Sequence, residues 1–271
     1  MAASKIRKAA VAGKFYPSSA GELKKQIKDL IGKETDKTDV IACMLPHAGY
    51  MYSGSVVAGV LSSVNIKERI VLLGPNHTGF GAPFSIMTEG IWQTPLGKVK
   101  IDSDLAKQLL RGSKYLEDDS AAHIYEHSLE VQLPFLQYLK TDFKIVPIVF
   151  LSDGIEALKE IGEEIAGVLK GLKGSAMILA SSDMTHYEPQ EAARNKDKEA
   201  IEAILALDED RLLERVRQLG ISMCGYAPVI VMLRAAKMLG ARFASLVKYQ
   251  TSGDISGELD SVVGYAGITI Y

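Results

Sequence analysis

Apolar runs of strand length alternate along the chain with amphipathic stretches of helical length. Continuous short apolar runs are typical of strands buried on both faces of a parallel sheet, whereas apolar residues that recur every three or four positions indicate helices. The runs predict strands over 40–45, 69–73, 144–150, 176–180, 243–249 and 262–270. The amphipathic stretches predict helices over 20–32, 54–61, 103–111, 127–139, 155–171, 190–206, 208–218 and 227–239. This alternation predicts an α/β fold, a single doubly wound sheet with helices on both faces.

Residues at the ends of these stretches support the assignment. Ser19 and Glu22 have the spacing of a capping box, which predicts the start of the first helix. Ser53 is expected to cap the second helix, and Gly220 to end the helix over 208–218. No repeat, low-complexity segment or linker interrupts the sequence. We therefore expect residues 1–271 to form a single domain.

Composition and charge exclude several classes of protein. Hydrophobic residues make up 47% and charged residues 24%, which excludes a disordered or collagen-like chain. The formal net charge is −2 and there is no basic stripe, so we expect no nucleic-acid partner. No apolar run approaches the roughly 20 residues of a membrane span, and Met1–Lys8 lacks the apolar core of a signal peptide. These features predict a cytoplasmic protein that does not bind membranes.

All five histidines fall in predicted loops or at predicted helix starts. His47, His77 and His186 each follow a different predicted strand, while His123 and His127 lie four residues apart just before a predicted helix. In open α/β sheets, ligands bind beyond the carboxyl ends of the strands. Because neutral imidazole binds metals and titrates near neutral pH, a converging set predicts a metal site or acid–base chemistry. In the simpler alternative, each histidine only fills a buried loop.

The two cysteines have different surroundings and cannot form a disulfide framework. Cys43 lies within the first apolar run, which indicates a core residue. Cys224 directly precedes a predicted helix, and the dipole of that helix would favour the thiolate. Cys224 is therefore a candidate nucleophile or metal ligand.

A metal site needs a third ligand beside two histidines. His47 and His77 come from successive strand ends, and either Cys224 or Asp183 would complete a three-ligand face with open positions. A thiolate favours softer metals, whereas a carboxylate completes the usual oxygen-activating face. The residues alone leave both choices open.

Two nucleophilic schemes compete with the metal site. Ser181 or Ser182 with Asp183 and His186 has the composition of a hydrolytic triad, although neighbours on one turn rarely reach the geometry of a proton relay. In the second scheme, Cys224 pairs with a histidine base. The glycines near the histidines match neither a P-loop nor a dinucleotide-binding motif.

Short motifs that follow one another along nearly the whole chain carry a family resemblance. They are Phe15-Tyr16-Pro17, the segment 46–54 that begins Pro-His-Ala-Gly-Tyr, Gly74-Pro75-Asn76-His77, Glu126-His127-Ser128-Leu129-Glu130, Ser181-Ser182-Asp183 with His186, and Cys224-Gly225. In this order, from about residue 7 to the C-terminus, the chain resembles the Memo family. That family is similar in fold to the class III extradiol dioxygenases, which use nonheme iron. The resemblance implies a doubly wound α/β domain.

The resemblance also implies roles for individual residues. His47, His77 and Cys224 match the metal ligands of the family, so one ion of Fe(II) or copper is expected, which the purified protein need not retain. Asp183 and His186 match the pair beside that site. We expect His186 to act as acid–base catalyst or to orient oxygen, and Asp183 to fix its tautomer. The residues expected to line the substrate pocket are Tyr16, Tyr50, Tyr52, Asn76 and His127.

Two functions use these same residues. The first is a metal-dependent redox enzyme, although the cysteine replaces a glutamate of the dioxygenases and argues against ring-opening dioxygenation. The second is a binding module that recognises a phosphorylated or aromatic anionic peptide or small molecule. Prokaryotic members of the family also resemble functional partners of a radical-SAM protein, which implies such a link here.

Overall fold

The structure is a computed structural model, and it describes residues 6–32, 36–172 and 174–271. Residues 1–5 belong to the N-terminal segment used above to argue against a signal peptide, and they lie outside the described residues. Within the described ranges, no helix is both long enough and apolar enough to span a membrane.

Strands and helices alternate along the chain, which confirms the predicted α/β fold. The strands are β1 (Ile6–Arg7), β2 (Ala42–Leu45), β3 (Arg69–Pro75), β4 (Phe84–Ile86), β5 (Ile91–Thr94), β6 (Gly97–Ile101), β7 (Glu117–Asp118), β8 (Lys144–Phe150), β9 (Ala176–Ser181), β10 (His186–Glu188), β11 (Ala244–Thr251) and β12 (Val262–Ile270). The helices are α1 (Ala20–Ile31), α2 (Tyr50–Ser62), α3 (Ser103–Gly112), α4 (Leu133–Leu139), α5 (Ile155–Lys170), α6 (Gln190–Leu205), α7 (Glu209–Leu219), α8 (Tyr226–Met238) and α9 (Gly253–Ser256). Two short 3₁₀ helices cover Ala121–His123 and Glu130–Gln132.

The described strands form one 12-stranded sheet. Its main path runs β1-β5-β6-β8-β3-β9-β2-β12-β10, with β11 beside β12 and with β4 beside β8 and β7. The five strands β6, β8, β3, β9 and β2 run parallel to one another. The carboxyl ends of β2, β9 and β3 therefore lie side by side at one edge of the sheet, where the loops that carry His47, Asp183 and His77 begin.

The apolar runs form the centre of the sheet because both of its faces are covered. Ile70–Leu73 of β3 and Ile178–Ala180 of β9 are fully buried, as expected for parallel strands between helical layers. Helices α5 and α8 pack against each other, and α8 contacts β3 and β9. Helices α1, α2 and α4 form a second group, in which α2 contacts β2 and β12.

Several boundaries differ from the sequence prediction. Helix α2 begins at Tyr50 rather than at residue 54, because Ser53 does not cap it and instead donates a hydrogen bond to the Ala48 carbonyl (2.9 Å). Ser19 precedes α1 without a side-chain capping bond, so the predicted capping box does not form. Gly220 ends α7 in the left-handed conformation, as predicted.

The elements between β3 and α4 differ more from the sequence prediction than these boundaries do. The helix predicted over 127–139 begins only at Leu133, because residues 126–127 are irregular, residues 128–129 form a turn and a 3₁₀ helix follows. The sequence does not predict the short strands β4, β5 and β6, since they have only three to five residues and lack a long apolar run. This region supplies the loop that carries His127.

Candidate functional site

A cavity of about 510 Å³ opens at the carboxyl ends of the parallel strands. Its wall is built by loops that follow β2, β3 and β9, by the turn before α4, and by the segment before α8. The residues that line it are Phe15, His47, Ala48, Gly49, His77, His127, Asp183, His186, Tyr187, Ser222, Cys224, Val263 and Tyr265. Four of the five histidines therefore meet in one pocket, as the strand-end argument predicted for three of them.

His47, His77 and Cys224 form a compact group of side chains that could hold a metal ion. Their ligand atoms all lie within 4.8 Å of one another. The Cys224 Sγ atom is 3.2 Å from His47 Nε2, and the rings of His47 and His77 are 5.1 Å apart between centroids. Residues that are distant in sequence thus meet because β2 and β3 both flank β9 and the segment before α8 folds over their ends.

Hydrogen bonds fix the tautomer of His47. The Ser181 hydroxyl donates to the Ser128 carbonyl (2.7 Å), so its oxygen is free to accept from His47 Nδ1 (2.9 Å) and from Gln132 Nε2 (3.0 Å). The ring proton of neutral His47 is therefore on Nδ1, and the lone pair on Nε2 points towards Cys224. Burial and the neighbouring histidines lower the pKa of His47, which keeps the ring neutral.

A buried carboxylate orients His77. His77 Nδ1 donates to Glu126 Oε1 (3.0 Å), and Glu126 also accepts from the backbone N–H groups of His77 and Ser128. Burial alone would raise the pKa of Glu126, but the bonds from His77 and Ser128 bring it to about 2, so this carboxyl is ionised. The arrangement leaves Nε2 of His77 free to bind a metal. Sequence reasoning gave Glu126 no role, although the residue lies within a quoted motif.

The pKa of the Cys224 thiol is shifted in the direction opposite to the one expected from the helix dipole. Burial raises its pKa, and the nearby Asp183 raises it further, so the dipole of α8 does not produce a thiolate in the pocket. This argues against Cys224 as a free nucleophile. A bound metal cation would nevertheless deprotonate this thiol, because a thiol that coordinates a metal is present as the thiolate.

Asp183 lies beside the three ligands without joining them. Its carboxylate accepts the backbone N–H of His47 (2.7 Å), and Oδ2 is 4.0 Å from His47 Nε2. Burial raises the pKa of Asp183 to about 6. The group of side chains that could hold a metal therefore includes Cys224 and not Asp183, which favours Cys224 of the two third ligands that the sequence offered.

The partner of His186 also differs from expectation. His186 Nδ1 donates to the Ser222 carbonyl (2.9 Å), and the Ser222 hydroxyl accepts the His186 backbone N–H (2.7 Å). Ser222 rather than Asp183 therefore fixes the tautomer of His186. Ser182 donates its hydroxyl to the backbone carbonyl of Asp183 (2.8 Å), and Ser181 bonds as described above, so the proposed hydrolytic triad is not assembled.

Comparison with known proteins identifies the family. The family model described as Memo-like protein matches residues 7–269. The chain belongs to the Memo family. MEMO1 family proteins of Methanopyrus kandleri and Aquifex aeolicus are each 44% identical to it, and each alignment covers 97% of this chain and 98% of the relative. A MEMO1 family protein of Methanococcoides burtonii is 45% identical over 98% of this chain and 100% of its own length.

A solved structure shows the same kind of fold. The crystal structure of an uncharacterized protein from Escherichia coli K12 superposes with a TM-score of 0.58 at 16% sequence identity. The match covers 85% of this Memo-family chain and 99% of the other. At this identity the likeness concerns the fold alone.

Among the residues predicted to line the pocket of this Memo-family protein, His127 does so. Its ring stacks on His77 at 4.7 Å between centroids and meets Phe15 edge-on at 4.8 Å. His77, Glu126 and His127 form a second group whose ligand atoms lie within 4.8 Å. In that group Glu126 already accepts three hydrogen bonds, so it supports His77 rather than offering a free ligand.

The other four predicted lining residues lie elsewhere. Tyr16 donates its hydroxyl to buried Glu130 (2.6 Å), and Tyr50 donates to the Val131 carbonyl (2.6 Å). Tyr52 lines a neighbouring groove of about 670 Å³. Tyr16 and Tyr50 are buried, and their hydroxyls are used in these structural hydrogen bonds.

Asn76 is also structural. Its amide nitrogen donates to the Phe80 carbonyl (2.7 Å), and its oxygen accepts from the backbone N–H of Thr78 (3.0 Å), which closes the loop after β3. The lining residues that the sequence did not predict include Phe15, Tyr187, Ser222 and Tyr265. Phe15 could have been identified from its place in the Phe-Tyr-Pro motif, whereas no sequence feature pointed to Ser222 or Tyr265 as pocket residues.

His123 and Cys43 are core residues. His123 is fully buried against Trp92, with 5.9 Å between ring centroids, and it does not line the pocket. Burial lowers its pKa to about 4. Cys43 is fully buried within β2, as predicted, and burial raises its pKa to about 12.

Proposed function

We propose that this Memo-family protein binds one ion of Fe(II) or copper through His47, His77 and Cys224 and acts as a redox enzyme on a small ligand in the adjoining pocket. The observation that carries this proposal is the set of three ligand atoms within 4.8 Å of one another. Each of the two histidines uses Nδ1 for a hydrogen bond to a fixed acceptor, which leaves Nε2 available.

The donor set fits such an ion. Two neutral imidazoles and one thiolate suit iron or copper, whereas magnesium and calcium prefer oxygen ligands. Three protein ligands leave an open position, which is typical of catalytic rather than structural sites. When bound, the ion would supply Lewis acidity and redox chemistry.

The chain itself supplies proton transfer and ligand positioning. His186 holds its proton on Nδ1 through Ser222, so its Nε2 can accept or return a proton in the pocket. Asp183 keeps the His47 loop in place by accepting its backbone N–H. The aromatic side chains of Phe15, Tyr187 and Tyr265 give the cavity an apolar wall.

The second candidate is a binding module without turnover. The three aromatic rings in the wall favour an aromatic ligand. Phosphorylated ligands are typically held by arginine clusters, and the described residues that line this pocket include neither lysine nor arginine. An aromatic ligand is therefore better supported than a phosphorylated one. The functional link to a radical-SAM protein belongs to this proposal on the family resemblance alone.

Anaerobic titration with Fe(II), Cu(I) and Zn(II) tests the metal site. We expect one ion of Fe(II) or copper per chain in the wild type and at least tenfold weaker binding in Cys224→Ser and His47→Ala, because each change removes one of three ligands. Cys43→Ala is the matched control, since it removes the other cysteine from the core and should bind as the wild type does. Equal affinity in Cys224→Ser and wild type would contradict the site.

A turnover assay distinguishes the redox enzyme from the binding module. Oxygen consumption that needs added metal and disappears in Cys224→Ser is the result expected of an enzyme. Ligand binding that is indifferent to metal would favour the binding module. Neither outcome depends on knowing the physiological substrate, because candidate aromatic compounds can be screened in both assays.

Glu126→Gln tests the orientation of His77. We expect the affinity for Fe(II) to fall by about 10-fold to 100-fold, since an amide cannot accept from His77 Nδ1 and from the two backbone N–H groups at once. Glu117→Gln in β7 is the control, because Glu117 is exposed. Melting temperatures of both variants show whether any loss reflects unfolding. Unchanged affinity in folded Glu126→Gln would refute this role.

A further inference from the structure

Tyr187 occupies an unusual backbone position in the wall of the pocket. Strands β10 and β12 pair His186 with Val263 and Glu188 with Val262, so Tyr187 is the extra residue of a β-bulge. Its φ is 59°, in the left-handed region that favours glycine. Bulges of this kind re-aim a side chain and are over-represented next to active sites.

Packing does not explain this conformation. Along the described ranges, the only other residue besides glycine with a positive φ is Leu207, whose side chain is 8% exposed and packs in the core. The side chain of Tyr187 is 78% exposed, and its hydroxyl has no hydrogen-bond partner in the part of the chain that the structure describes. Residues held in strained backbone conformations cluster at ligand clamps and active sites. The strain at Tyr187 therefore indicates a role for its ring.

The ring lies where a ligand would contact it. Tyr187 lines the cavity together with Phe15 and Tyr265, and these three rings come from three separate segments of the chain. Its ring is 5.7 Å from that of His186, and the Phe15 ring is 4.8 Å from that of His127. Aromatic rings contact one another favourably at centroid distances of about 4.5–7 Å, so a flat ligand can join these rings.

We propose that Tyr187 is a ligand-binding residue whose ring packs on the flat face of a small aromatic molecule carrying a carboxylate or another oxygen donor. The ring contact is independent of any metal, whereas the role of the oxygen donor rests on the proposed function, since it would be held at the centre formed by His47, His77 and Cys224. The pocket then selects aromatic over aliphatic ligands through Tyr187.

Benzoate and acetate test this selection, because both carry a carboxylate and only benzoate has a ring. Calorimetry on Zn(II)-loaded and metal-free protein gives the ratio of their affinities. We expect Tyr187→Gly to lower the preference for benzoate by about threefold to tenfold, and Tyr187→Phe to retain it. Tyr138→Ala should also retain it, since Tyr138 is an exposed tyrosine of α4 that does not line the pocket.

Stability measurements separate binding from folding. Tyr187→Gly should leave the melting temperature unchanged or raise it, because glycine adopts a φ of 59° without strain. A marked drop in melting temperature would show that Tyr187 is a packing residue and would overturn the proposal. So would an equal preference for benzoate in wild type and Tyr187→Gly, or no binding of either carboxylate in both forms. If Zn(II) fails to bind, the proposed metal site fails, and the affinity ratio in metal-free protein still decides the role of Tyr187.

Discussion

Replacing Glu130 with alanine is expected to lower the free energy of unfolding by about 3–5 kcal/mol, because it leaves Arg7 as a buried charge without a counter-charge. Both side chains are almost fully buried and form an ion pair. Glu130 also accepts hydrogen bonds from the backbone N–H groups of Ala10 (2.7 Å) and Val11 (3.1 Å) and from the Tyr16 hydroxyl. All of these groups lose their partner in the variant.

The same ion pair connects the N-terminal segment to the pocket. Arg7 donates to the backbone carbonyls of Glu126 (2.6 Å) and His123 (3.0 Å), and its guanidinium lies over Trp92. The loop whose Glu126 side chain orients His77 is thus held by Arg7. We therefore expect Glu130→Ala to weaken metal binding as well as to destabilise the fold.

Urea unfolding of three variants measures this contribution. The double variant Arg7→Met with Glu130→Leu should recover part of the stability that Glu130→Ala loses, since replacing a whole buried pair by apolar side chains is often neutral. Asp39→Ala breaks the exposed pair with Lys67 and should change stability far less. A loss below about 1 kcal/mol in Glu130→Ala would show that water reaches the pair, contrary to its burial.

The centre of the sheet could be predicted from sequence because its strands are buried on both faces. β3, β8 and β9 appear as continuous apolar runs, and their predicted ranges match the structure to within two residues. β5 and β6 could not be found in this way, since they are only four and five residues long and lack a continuous apolar run. Strands as short as β1, β7 and β10, each of two or three residues, carry no periodic signal at all.

Some features of the candidate site could likewise be predicted from the sequence, and others could not. The convergence of His47 and His77 could be predicted because each directly follows a buried strand, and the carboxyl ends of parallel strands meet at one edge of the sheet. The partners that set the tautomers, Ser181 and Glu126, could not be assigned, since those hydrogen bonds join loops distant in sequence. The raised pKa of Cys224 could not be foreseen either, because local sequence shows the helix dipole but not the burial that outweighs it.

Gly225→Ala is expected to disrupt the proposed metal site and the fold together. A Cβ atom at this position would lie 2.3 Å from the Ser181 carbonyl oxygen and 2.5 Å from Ser182 Cβ. The backbone φ of −103° is allowed for alanine, so the cost comes from overlap rather than conformation. Because the Ser181 atom belongs to the backbone of β9, the segment before α8 must move, and it carries Cys224 with it.

We expect Gly225→Ala to lose about 1–3 kcal/mol of stability or more through overpacking, and to bind Fe(II) more than tenfold more weakly. Gly154→Ala is a close control, since Gly154 also directly precedes a helix, α5, and a Cβ there meets no atom within 4 Å. It should change stability by less than about 0.5 kcal/mol and leave metal binding intact. Wild-type Fe(II) affinity in Gly225→Ala would mean that the position of Cys224 does not depend on this close contact between the α8 segment and β9.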